Sequence, residues 1–353
     1  MLWIWLGFIF FILFLLALDL GVFHRKAHEV TVREALRWSV IWIGVALLFG
    51  GFVYYGYEHH WLGLGTTIDA ADGDTIDGRD ALTKYLTGYV VEKSLSVDNI
   101  FVIATLFAFF SVPRMYQHRV LFWGILGALI TRGAMIAVGA TLIARYHWLL
   151  YLFGAFLIAT AIKMLFLKEG HSDPGQNAAV RAIRKWFPVT DRFHGEHFMV
   201  TAGSTQSHEP VTPTEIEQPD PSVARAKPGT RMLTPLALAL VTVEFTDVIF
   251  AVDSIPAVFA ITADPFLVFT SNVFAMLGLR SLYFALAGML HRFKYLKVSL
   301  AVILGLVGVK MLAAHPLKAW LGSHFNSYVL GLVLLILVLG VVASEIENRV
   351  RRT

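Results

Sequence analysis

The chain has 353 residues, of which 57% are hydrophobic and 15% are charged, and its formal net charge is +4. A soluble domain of this length cannot bury so large a hydrophobic fraction around one core, so the composition predicts a polytopic membrane protein. Cysteine does not occur, which excludes disulfides, thiolate metal sites and thiol catalysis. The small positive charge gives no indication of a nucleic-acid partner, because basic residues of membrane proteins mainly report topology.

Nine apolar segments are long enough to cross a bilayer as helices. The first lacks a basic region and a cleavage site of small residues, so we interpret it as a retained helix rather than a signal peptide. The predicted spans lie near residues 2–20, 38–57, 86–110, 120–143, 147–167, 234–262, 266–290, 298–313 and 325–344. The sequence thus predicts an all-α polytopic membrane protein with about nine transmembrane helices.

The distribution of Lys and Arg predicts the orientation. Most of the 29 basic residues fall in alternate loops, which lie in the cytoplasm if the N-terminus is outside. We therefore expect an inner (plasma) membrane protein with an outer N-terminus and a cytoplasmic C-terminus. The outer loop 58–84 is acidic, and either attracts cations or only keeps the loop soluble.

The long loop 169–232 has two parts. Residues 178–200 are basic and amphipathic, which is typical of a segment on the membrane surface, although packing on the helices is the alternative. Residues 204–229 are rich in Pro, Thr and Glu and predict a disordered linker.

An internal repeat organises the membrane part. The sequence "VEKSLSVDNIFV" at 91–102 aligns without a gap on "TDVIFAVDSIPA" at 246–257. The alignment and its continuation pair Glu92 with Asp247, Asp98 with Asp253, Asn99 with Ser254, Arg132 with Arg280 and Lys163 with Lys310. Each unit has three helices, an odd number, so helices 3–5 and 6–8 form an inverted repeat. We divide the chain into 1–85, 86–168 (repeat 1), 169–232, 233–313 (repeat 2) and 314–353.

Acidic residues within the spans are the first candidates for function. They are Asp19, Glu92, Asp98, Glu244, Asp247 and Asp253. A charge at the bilayer centre costs about 2.5–3.5 kcal/mol on insertion scales, so such residues face the protein interior and are functional by default. From the predicted ends of the helices, we expect Asp98 and Asp253 to meet near the midplane.

The surrounding residues predict a site made of oxygen ligands. Pro256 frees the carbonyl of Val252, so an unwound turn could present that oxygen beside Asp253. Further oxygen donors come from Asn99, Ser94, Ser96, Thr246 and Ser254. Such a set suits hard divalent ions such as Mg²⁺, Mn²⁺ and Ca²⁺.

Buried cations offer a competing interpretation of these acids. The acids could serve only to neutralise Arg132, Arg280, Lys93, Lys163 and Lys310 in structural ion pairs. The two arginines could also replace a departing cation, and Lys163 and Lys310, near the ends of their spans, could extend to the membrane surface.

At these residues the sequence resembles the TerC family of integral membrane proteins, which includes tellurium-resistance proteins and an alkali-induced manganese exporter. Long strings support the resemblance, among them "LTGYVVEKSLSVDNIFV" and "TPLALALVTVEFTDVIFAVDSIPAVFAIT". It implies manganese export at the acidic motifs, with site residues Glu92, Asp98, Asn99, Glu244, Asp247, Asp253 and Ser254. The linker at 203–229 is not expected to match other members.

We therefore expect a secondary transporter that exports divalent cations, with Mn²⁺ favoured, and that exchanges them for protons. It is not expected to be an enzyme or to need a resident cofactor; its partners are the lipid bilayer, the metal ion and protons. The alternatives are an exporter of amino acids or organic cations, and a non-transporting subunit that helps load metal onto exported proteins. An intramembrane aspartyl protease is disfavoured because neither Asp98 nor Asp253 lies in a Gly-x-Gly-Asp sequence.

Overall fold

The computed structural model describes residues 2–21, 31–166, 181, 185–203, 220–286 and 295–350. In these residues the chain forms twelve α-helices and one two-stranded sheet. The helices are α1 (Leu2–Gly21), α2 (Val32–Glu58), α3 (Gly78–Phe109), α4 (Arg114–Arg145), α5 (Trp148–Phe166), α6 (Pro221–Arg225), α7 (Pro235–Phe259), α8 (Pro265–Leu277), α9 (Leu279–Leu286), α10 (Leu296–Leu312), α11 (Ala314–Leu321) and α12 (Phe325–Val350). The strands are β1 (Met199–Thr201) and β2 (Arg231–Leu233).

The all-α polytopic prediction is confirmed. A helix lies at each of the nine predicted positions, with α8 and α9 together at the seventh. By length and hydropathy alone, five of the described helices qualify as membrane spans, namely α2, α4, α5, α7 and α12, and the bent pair of α8 and α9 makes a sixth. Of the other helices at predicted spans, α10 has only 17 residues and α3 contains several charged residues.

Two of the differences from the predicted boundaries bear on the site. Helix α3 begins at Gly78 rather than at residue 86, because the carboxylate of Asp77 accepts a hydrogen bond from the Asp80 amide at 2.7 Å and caps the helix. The seventh span is not one helix, since it bends by 40° between α8 and α9. The bend falls at Gly278.

The connections of the helices distinguish two sides of the bundle. We call the side where α1 begins the near side and the opposite one the far side. On the near side, loop 59–77 meets α11, where Lys318 donates to the carbonyl of Asp72 at 3.2 Å. On the far side, the chain after α5 reaches α4 through Arg119 and Glu196, 2.5 Å apart. The predicted orientation corresponds to an outer near side and a cytoplasmic far side.

The two repeats pack as an inverted pair. The first helix of each unit packs on the second helix of the other, so α3 lies against α8 and α7 against α4. The third helices, α5 and α10, pack closely on each other. An added Cβ on Gly308 would lie only 2.9 Å from the carbonyl oxygen of Gly154. This reciprocal pattern is the one expected from a pseudo-twofold axis between the units.

The chain between α5 and α7 is folded where the structure describes it. Its apolar core consists of Val200, Ala202, Val223 and Met232. The Asp220 carboxylate accepts a hydrogen bond from the Arg192 amide at 3.0 Å. The predicted disordered linker is therefore wrong for 220–229, where local side-chain caps and a small core order the chain; residues 204–219 lie outside the described ones.

The predicted membrane-surface stretch, 178–200, is described only in part. Its described end packs on the bundle, with Phe193 and Phe198 against the apolar cluster at the far-side ends of α3, α4 and α7. The Arg119 guanidinium also lies 5.4 Å from the centre of the Phe198 ring. Of the two interpretations of this stretch, packing on the helices is the one that holds for the described residues.

Candidate functional site

A buried arginine joins the two repeats at the centre of the bundle. Arg132 of α4 is 2% exposed. Its Nε and Nη2 donate to the two carboxylate oxygens of Asp247 in α7, at 3.1 and 2.8 Å. Its Nη1 donates to Glu92 of α3. The first acid of each repeated motif is therefore bound to one guanidinium, with bidentate geometry at Asp247.

Two neutral side chains complete this group, which we call the central cluster. The Arg132 Nη1 lies 3.3 Å from the hydroxyl of Ser254 and 3.3 Å from Oδ1 of Asn272. Asn272 belongs to α8 and was not among the predicted site residues. The signal that could have found it is the polar run 270–272 in the middle of an apolar span, all of it buried.

Two polar atoms of the central cluster have no hydrogen-bond partner among the residues that the structure describes. They are Oε2 of Glu92 and Nδ2 of Asn272, both buried. A buried unpaired polar group costs about 1–3 kcal/mol, and native proteins keep few of them. Two carboxylates and one guanidinium also leave one formal negative charge. The cluster thus has an open carboxylate oxygen and a charge that favours a cation.

The pair that meets at the centre is not the predicted one. Helices α3 and α7 run in opposite directions, and six further residues move each chain by about 9 Å along its axis. Asp98 therefore lies toward the far side of the cluster and Asp253 toward the near side, roughly 18 Å apart along the bundle. Both are half-buried. The expectation that Asp98 meets Asp253 is wrong, because Glu92 and Asp247 lie at the crossing point instead.

Glu244 lies one helical turn before Asp247 and is half-buried. Its carboxylate occupies the space that a side chain on Gly127 of α4 would fill. A glycine in α4 therefore makes room for Glu244 beside the central cluster, on its far side.

Most of the other predicted oxygen donors do not join the cluster. The hydroxyls of Ser94, Ser96 and Thr246 donate to carbonyls of their own helices at 2.6–2.8 Å. Asn99 is buried in α3 next to Asp98. Asp19 belongs to α1, but its side chain lies outside what the structure describes.

The predicted unwound turn at Pro256 is also wrong. Helix α7 continues through Pro256 to Phe259, so the carbonyl of Val252 stays within a helix. Residues 254–259 are all buried, and this packing offsets the one backbone hydrogen bond that the proline removes.

The described residues contain no group of three or more His, Cys, Asp or Glu side chains placed to bind a metal. In the central cluster the two acids hold the Arg132 guanidinium. A divalent ion would need both carboxylates, so its binding requires that Arg132 move away.

Comparison with known proteins identifies the family. The model of the Integral membrane protein TerC family matches residues 77–352. The chain belongs to this family. The match covers all five residues of the central cluster and both repeats.

Relatives of this TerC-family protein are similar over most of their length. An "Uncharacterized membrane protein STKORF319" of Myxococcus xanthus is 44% identical over 87% of this chain and 82% of its own. Proteins named "Putative membrane-bound redox modulator Alx" are 42% identical in Salmonella typhi and 41% identical in Escherichia coli strain K12, over 94% of this chain and 93% of theirs. No solved structure matches the chain.

The cationic residues that the repeat alignment pairs differ in how deeply they are buried in this TerC-family protein. Arg280, the counterpart of Arg132, is buried at the start of α9, after the bend. Lys163 is exposed. Lys310 is buried, donates to the carbonyl of Ile261 at 2.9 Å and lies 5.7 Å from the centre of the Phe325 ring. Extension to the membrane surface is therefore excluded for Lys310.

Lys93 has a structural role that the sequence did not reveal. Its ammonium donates to the carbonyl of Ala275 at 2.9 Å, in the last turn of α8. An added Cβ on Gly278 would lie 2.7 Å from the same nitrogen. A positive charge is favourable at a helix C-terminus, so Lys93 stabilises the end of α8 one turn beyond Asn272.

A second buried group of charges lies on the near side, and we call it the Lys84 cluster. The Lys84 ammonium is 2.8–2.9 Å from carboxylate oxygens of Asp69, Asp72 and Asp80. Asp69 also accepts hydrogen bonds from the Thr262 hydroxyl at 2.6 Å and the Ala263 amide at 2.7 Å. Burial would raise the pKa of Asp69, but the charge of Lys84 and these hydrogen bonds hold it below its usual value.

The Lys84 cluster fixes the acidic loop to the rest of the near side. Asn326 of α12 donates to Asp80 at 2.7 Å and to Asp72 at 3.3 Å. Nearby, the Tyr57 hydroxyl donates to Asp264, the N-cap of α8, at 2.8 Å. Neither interpretation of the loop, attraction of cations or solubility, explains these buried acids, which hold helices together.

Proposed function

We propose that this protein is a secondary transporter that exports divalent cations, with Mn²⁺ as the favoured substrate. The observation that supports it is the central cluster. One buried guanidinium is held by an acid from each inverted repeat, and Oε2 of Glu92 is left open. Transporters of inverted-repeat architecture bind their substrates at such an interface near the bilayer midplane.

The chemistry of the cluster suits a hard divalent ion. Its acceptors are the carboxylates of Glu92 and Asp247, the Ser254 hydroxyl and the amide oxygen of Asn272, all oxygen. Mg²⁺, Mn²⁺ and Ca²⁺ prefer such ligands. Sulfur ligands, which would favour softer ions, do not come from cysteine because the chain has none.

Arg132 provides a cation for the empty site. When a divalent ion binds, the guanidinium withdraws and both carboxylates turn to the metal. When the ion leaves, the guanidinium returns, so the acids never remain buried without a positive charge. That matters because removing one partner of a buried pair costs about 3–5 kcal/mol.

The remaining acids are arranged along the direction of transport. Asp98 and Glu244 lie on the far side of the cluster and Asp253 on its near side. Export requires the far side to be cytoplasmic, which agrees with the excess of Lys and Arg in the far-side loops. Exchange for protons is the coupling we propose.

Two other activities are less well supported. Protein cleavage by an aspartyl dyad needs two carboxylates that share one proton, about 3 Å apart, whereas Asp98 and Asp253 lie roughly 18 Å apart along the bundle. Redox modulation, the activity in the name of the Alx relatives, would have to proceed here without thiols because the chain lacks cysteine.

The test is Mn²⁺ flux in proteoliposomes that contain the purified protein. We expect wild-type protein to move Mn²⁺, and Glu92→Gln to lose at least about tenfold, since an amide of the same size cannot replace a carboxylate ligand. Glu345→Gln is the matched control, because Glu345 is an exposed acid near the end of α12. Equal flux in wild type and Glu92→Gln would contradict the assignment.

The same vesicles separate the alternatives. A wild-type protein that folds but moves no ion would favour the non-transporting metal-loading subunit. Inhibition of Mn²⁺ flux by excess amino acid or organic cation would favour an organic substrate. Flux that does not respond to an imposed pH gradient would overturn the proton exchange and leave metal export standing.

A further inference from the structure

The two arginines that the repeat alignment pairs lie in different environments. Arg132 belongs to α4, an unbroken helix, and holds Glu92 and Asp247. Arg280 belongs to α9, two residues beyond the 40° bend at Gly278. It is buried and interacts elsewhere in the protein, and among the described contacts it binds neither of the two acids. The two repeats therefore have different conformations around their arginines.

The helix crossings beside the two arginines are equivalent. Where α4 crosses α7, an added Cβ on Gly124 would lie 3.5 Å from Val243. Where α8 crosses α3, an added Cβ on Gly88 would lie 2.8 Å from the Ser271 hydroxyl. Continued without a gap, the alignment pairs Val243 with Gly88. It also pairs Ser271 with Trp123, the neighbour of Gly124. The positions of the two arginines can therefore be compared from matching reference points.

An unbent α8 and α9 would carry Arg280 to Glu92. Arg132 lies eight residues beyond the crossing on α4, about 12 Å, and Asp247 lies four residues beyond it on α7, about 6 Å. The arginine side chain leans toward the N-terminus of its helix and spans this difference. Arg280 lies nine residues beyond its own crossing, about 14 Å, and Glu92 lies four residues beyond it, about 6 Å. The two offsets agree to within about 2 Å, and the bend at Gly278 is what directs Arg280 elsewhere.

The two atoms that this contact would join are both incompletely bonded. Nη1 of Arg280 and Oε2 of Glu92 are buried and make no hydrogen bond to any residue that the structure describes. Helix α9 already packs on α3, which carries Glu92. A hydrogen bond between them would satisfy a buried donor and a buried acceptor together, each of which is costly when left unpaired.

The aligned positions of both helices can change shape. Gly278, at the bend, aligns with Ile130 of α4. Ile130 is 67% exposed, so little packing holds α4 straight there. Gly127 and Gly133 flank it within one turn, and glycine weakens a helix. Helix α4 can therefore bend where α8 and α9 now bend, and α8 and α9 can align.

We propose that Arg280 is the second counter-charge of the transport cycle and replaces Arg132 on Glu92 when the two repeats exchange conformations. This inference rests on the proposed function. In the exchange, α8 and α9 align, α4 bends and Arg132 is released. Because the repeats are inverted, such an exchange turns access from one side of the membrane to the other. The acids then hold a guanidinium in both metal-free states, which lets the empty transporter return.

A comparison of net efflux with Mn²⁺ exchange tests the proposal. Net efflux from loaded proteoliposomes requires the metal-free protein to return, whereas exchange of internal radioactive Mn²⁺ for external Mn²⁺ uses only the metal-bound protein. Arg280→Met should lose net efflux at least about tenfold, because a buried acid without its cation is costly, and should keep exchange near the wild-type rate. Arg280→Lys, which keeps a positive charge, should recover part of the net efflux. Arg349→Met is the matched control, because the Arg349 side chain is 80% exposed, and it should behave as wild type.

The outcomes separate this inference from the function on which it rests. Equal loss of net efflux and exchange in folded Arg280→Met would show a structural role and overturn the inference, and so would net efflux at the wild-type rate. The metal export would stand in both cases. Wild-type protein that moves Mn²⁺ in neither mode would overturn the export and the inference together.

A distance measurement follows the bend without any transport. The chain has no cysteine, so Leu286→Cys at the end of α9 and Ile346→Cys on α12 provide unique sites for two spin labels. Helix α9 has eight residues and is about 12 Å long. Removal of its 40° bend moves its far end by about 8 Å, which pulsed electron paramagnetic resonance resolves.

Metal-free labelled protein should show two distances, one for the bent and one for the aligned form. Arg280→Met should lose the aligned form. Gly278→Ala should enrich it, because alanine favours a continuous helix and its Cβ would lie 2.7 Å from the Lys93 ammonium in the bent form. Gly331→Ala is the control, since an added Cβ there meets nothing within 4 Å. A single distance shared by wild type and all three variants would overturn the exchange of arginines.

Discussion

The central cluster and the Lys84 cluster are built from the same components and differ in how completely their acids are paired. Each has one buried cation between carboxylates, which come from the loop and first turn before Lys84 in one case and from both repeats in the other. In the Lys84 cluster, Asp69 also accepts hydrogen bonds from the Thr262 hydroxyl and two backbone amides. In the central cluster, Oε2 of Glu92 has no hydrogen-bond partner within the described part of the chain.

The difference indicates which cluster can change. Backbone donors cannot move without unfolding the loop that presents them, so the Lys84 cluster is fixed. The described hydrogen bonds of the central cluster join side chains only, from α3, α4, α7 and α8. Side chains can exchange partners within a stable fold, so the incomplete pairing of Glu92 supports the proposal that the central cluster is the binding site.

Arg132→Met should have the largest effect, because it removes the cation from the central cluster. It leaves the buried Glu92 and the partly buried Asp247 unpaired, so we expect a loss of about 3–5 kcal/mol in the free energy of unfolding and loss of transport. Adding Mn²⁺ should restore much of the stability, since the metal can take the place of the guanidinium. Denaturant unfolding with and without Mn²⁺ measures both effects.

The control for Arg132→Met also neutralises both acids, with Glu92→Gln and Asp247→Asn in the same chain. This triple variant should be more stable than Arg132→Met, because no buried charge is left unpaired. It should show no response to Mn²⁺. A response equal to that of Arg132→Met would place the metal elsewhere.

Lys84→Met should destabilise the protein to a similar degree but leave its transport of Mn²⁺ unchanged. Three acids lose their cation, so a loss of about 3–5 kcal/mol is expected. Mn²⁺ flux per folded molecule should remain near the wild-type value. Lys318→Met is the control, since Lys318 and Asp74 are partly exposed and such pairs contribute less than about 1 kcal/mol. If Lys84→Met abolished flux while the protein stayed folded, the comparison between the clusters would fail.

The sequence predicted the helices and the repeat better than it predicted how deep in the membrane each acidic residue lies. Placing the start of α3 at residue 86 instead of Gly78 shifts every position by eight residues, or about 12 Å. That shift made Asp98 look central, whereas Glu92 is. The start depends on the Asp77 cap within an acidic loop, which hydropathy does not detect.

Other parts of the site could not follow from the repeat at all. Asn272 has no acidic or amide counterpart at the aligned position of repeat 1. Lys163 and Lys310 are paired in sequence, yet only Lys310 is buried, because the carbonyl of Ile261 and the ring of Phe325 lie against its ammonium. Hydroxyls such as Ser96 looked like ligands, but they bind their own helix, as Ser and Thr in apolar helices commonly do.

Acid should weaken the Lys84 cluster through Asp69. Its pKa is lowered in the folded protein, so its contribution to stability is complete above the ordinary Asp value of about 3.9 and is lost as the pH falls through the lowered value. The stability advantage of wild type over Asp69→Asn should therefore shrink below about pH 4. Unfolding curves of both proteins between neutral and acid pH provide the measurement. A constant difference across that range would contradict the assigned role of Asp69.

Tyr57→Phe should have the smallest effect. It removes the hydrogen bond to Asp264, but Asp264 keeps its bonds from the amides of Phe266 and Leu267. We expect a loss of about 1 kcal/mol with unchanged flux. Tyr151→Phe, at an exposed position, should not change the free energy of unfolding. A loss of several kcal/mol in Tyr57→Phe would mean that the near side depends on this one bond.

The most direct test of the difference between the clusters is Mn²⁺ flux through Asp247→Asn and Asp69→Asn, measured together and normalised to folded protein. Both variants neutralise an acid that is paired with a buried cation. The account predicts that Asp247→Asn loses flux and that Asp69→Asn keeps it. Wild-type flux in Asp247→Asn, or equal loss in both, would contradict the assignment of the central cluster as the transport site.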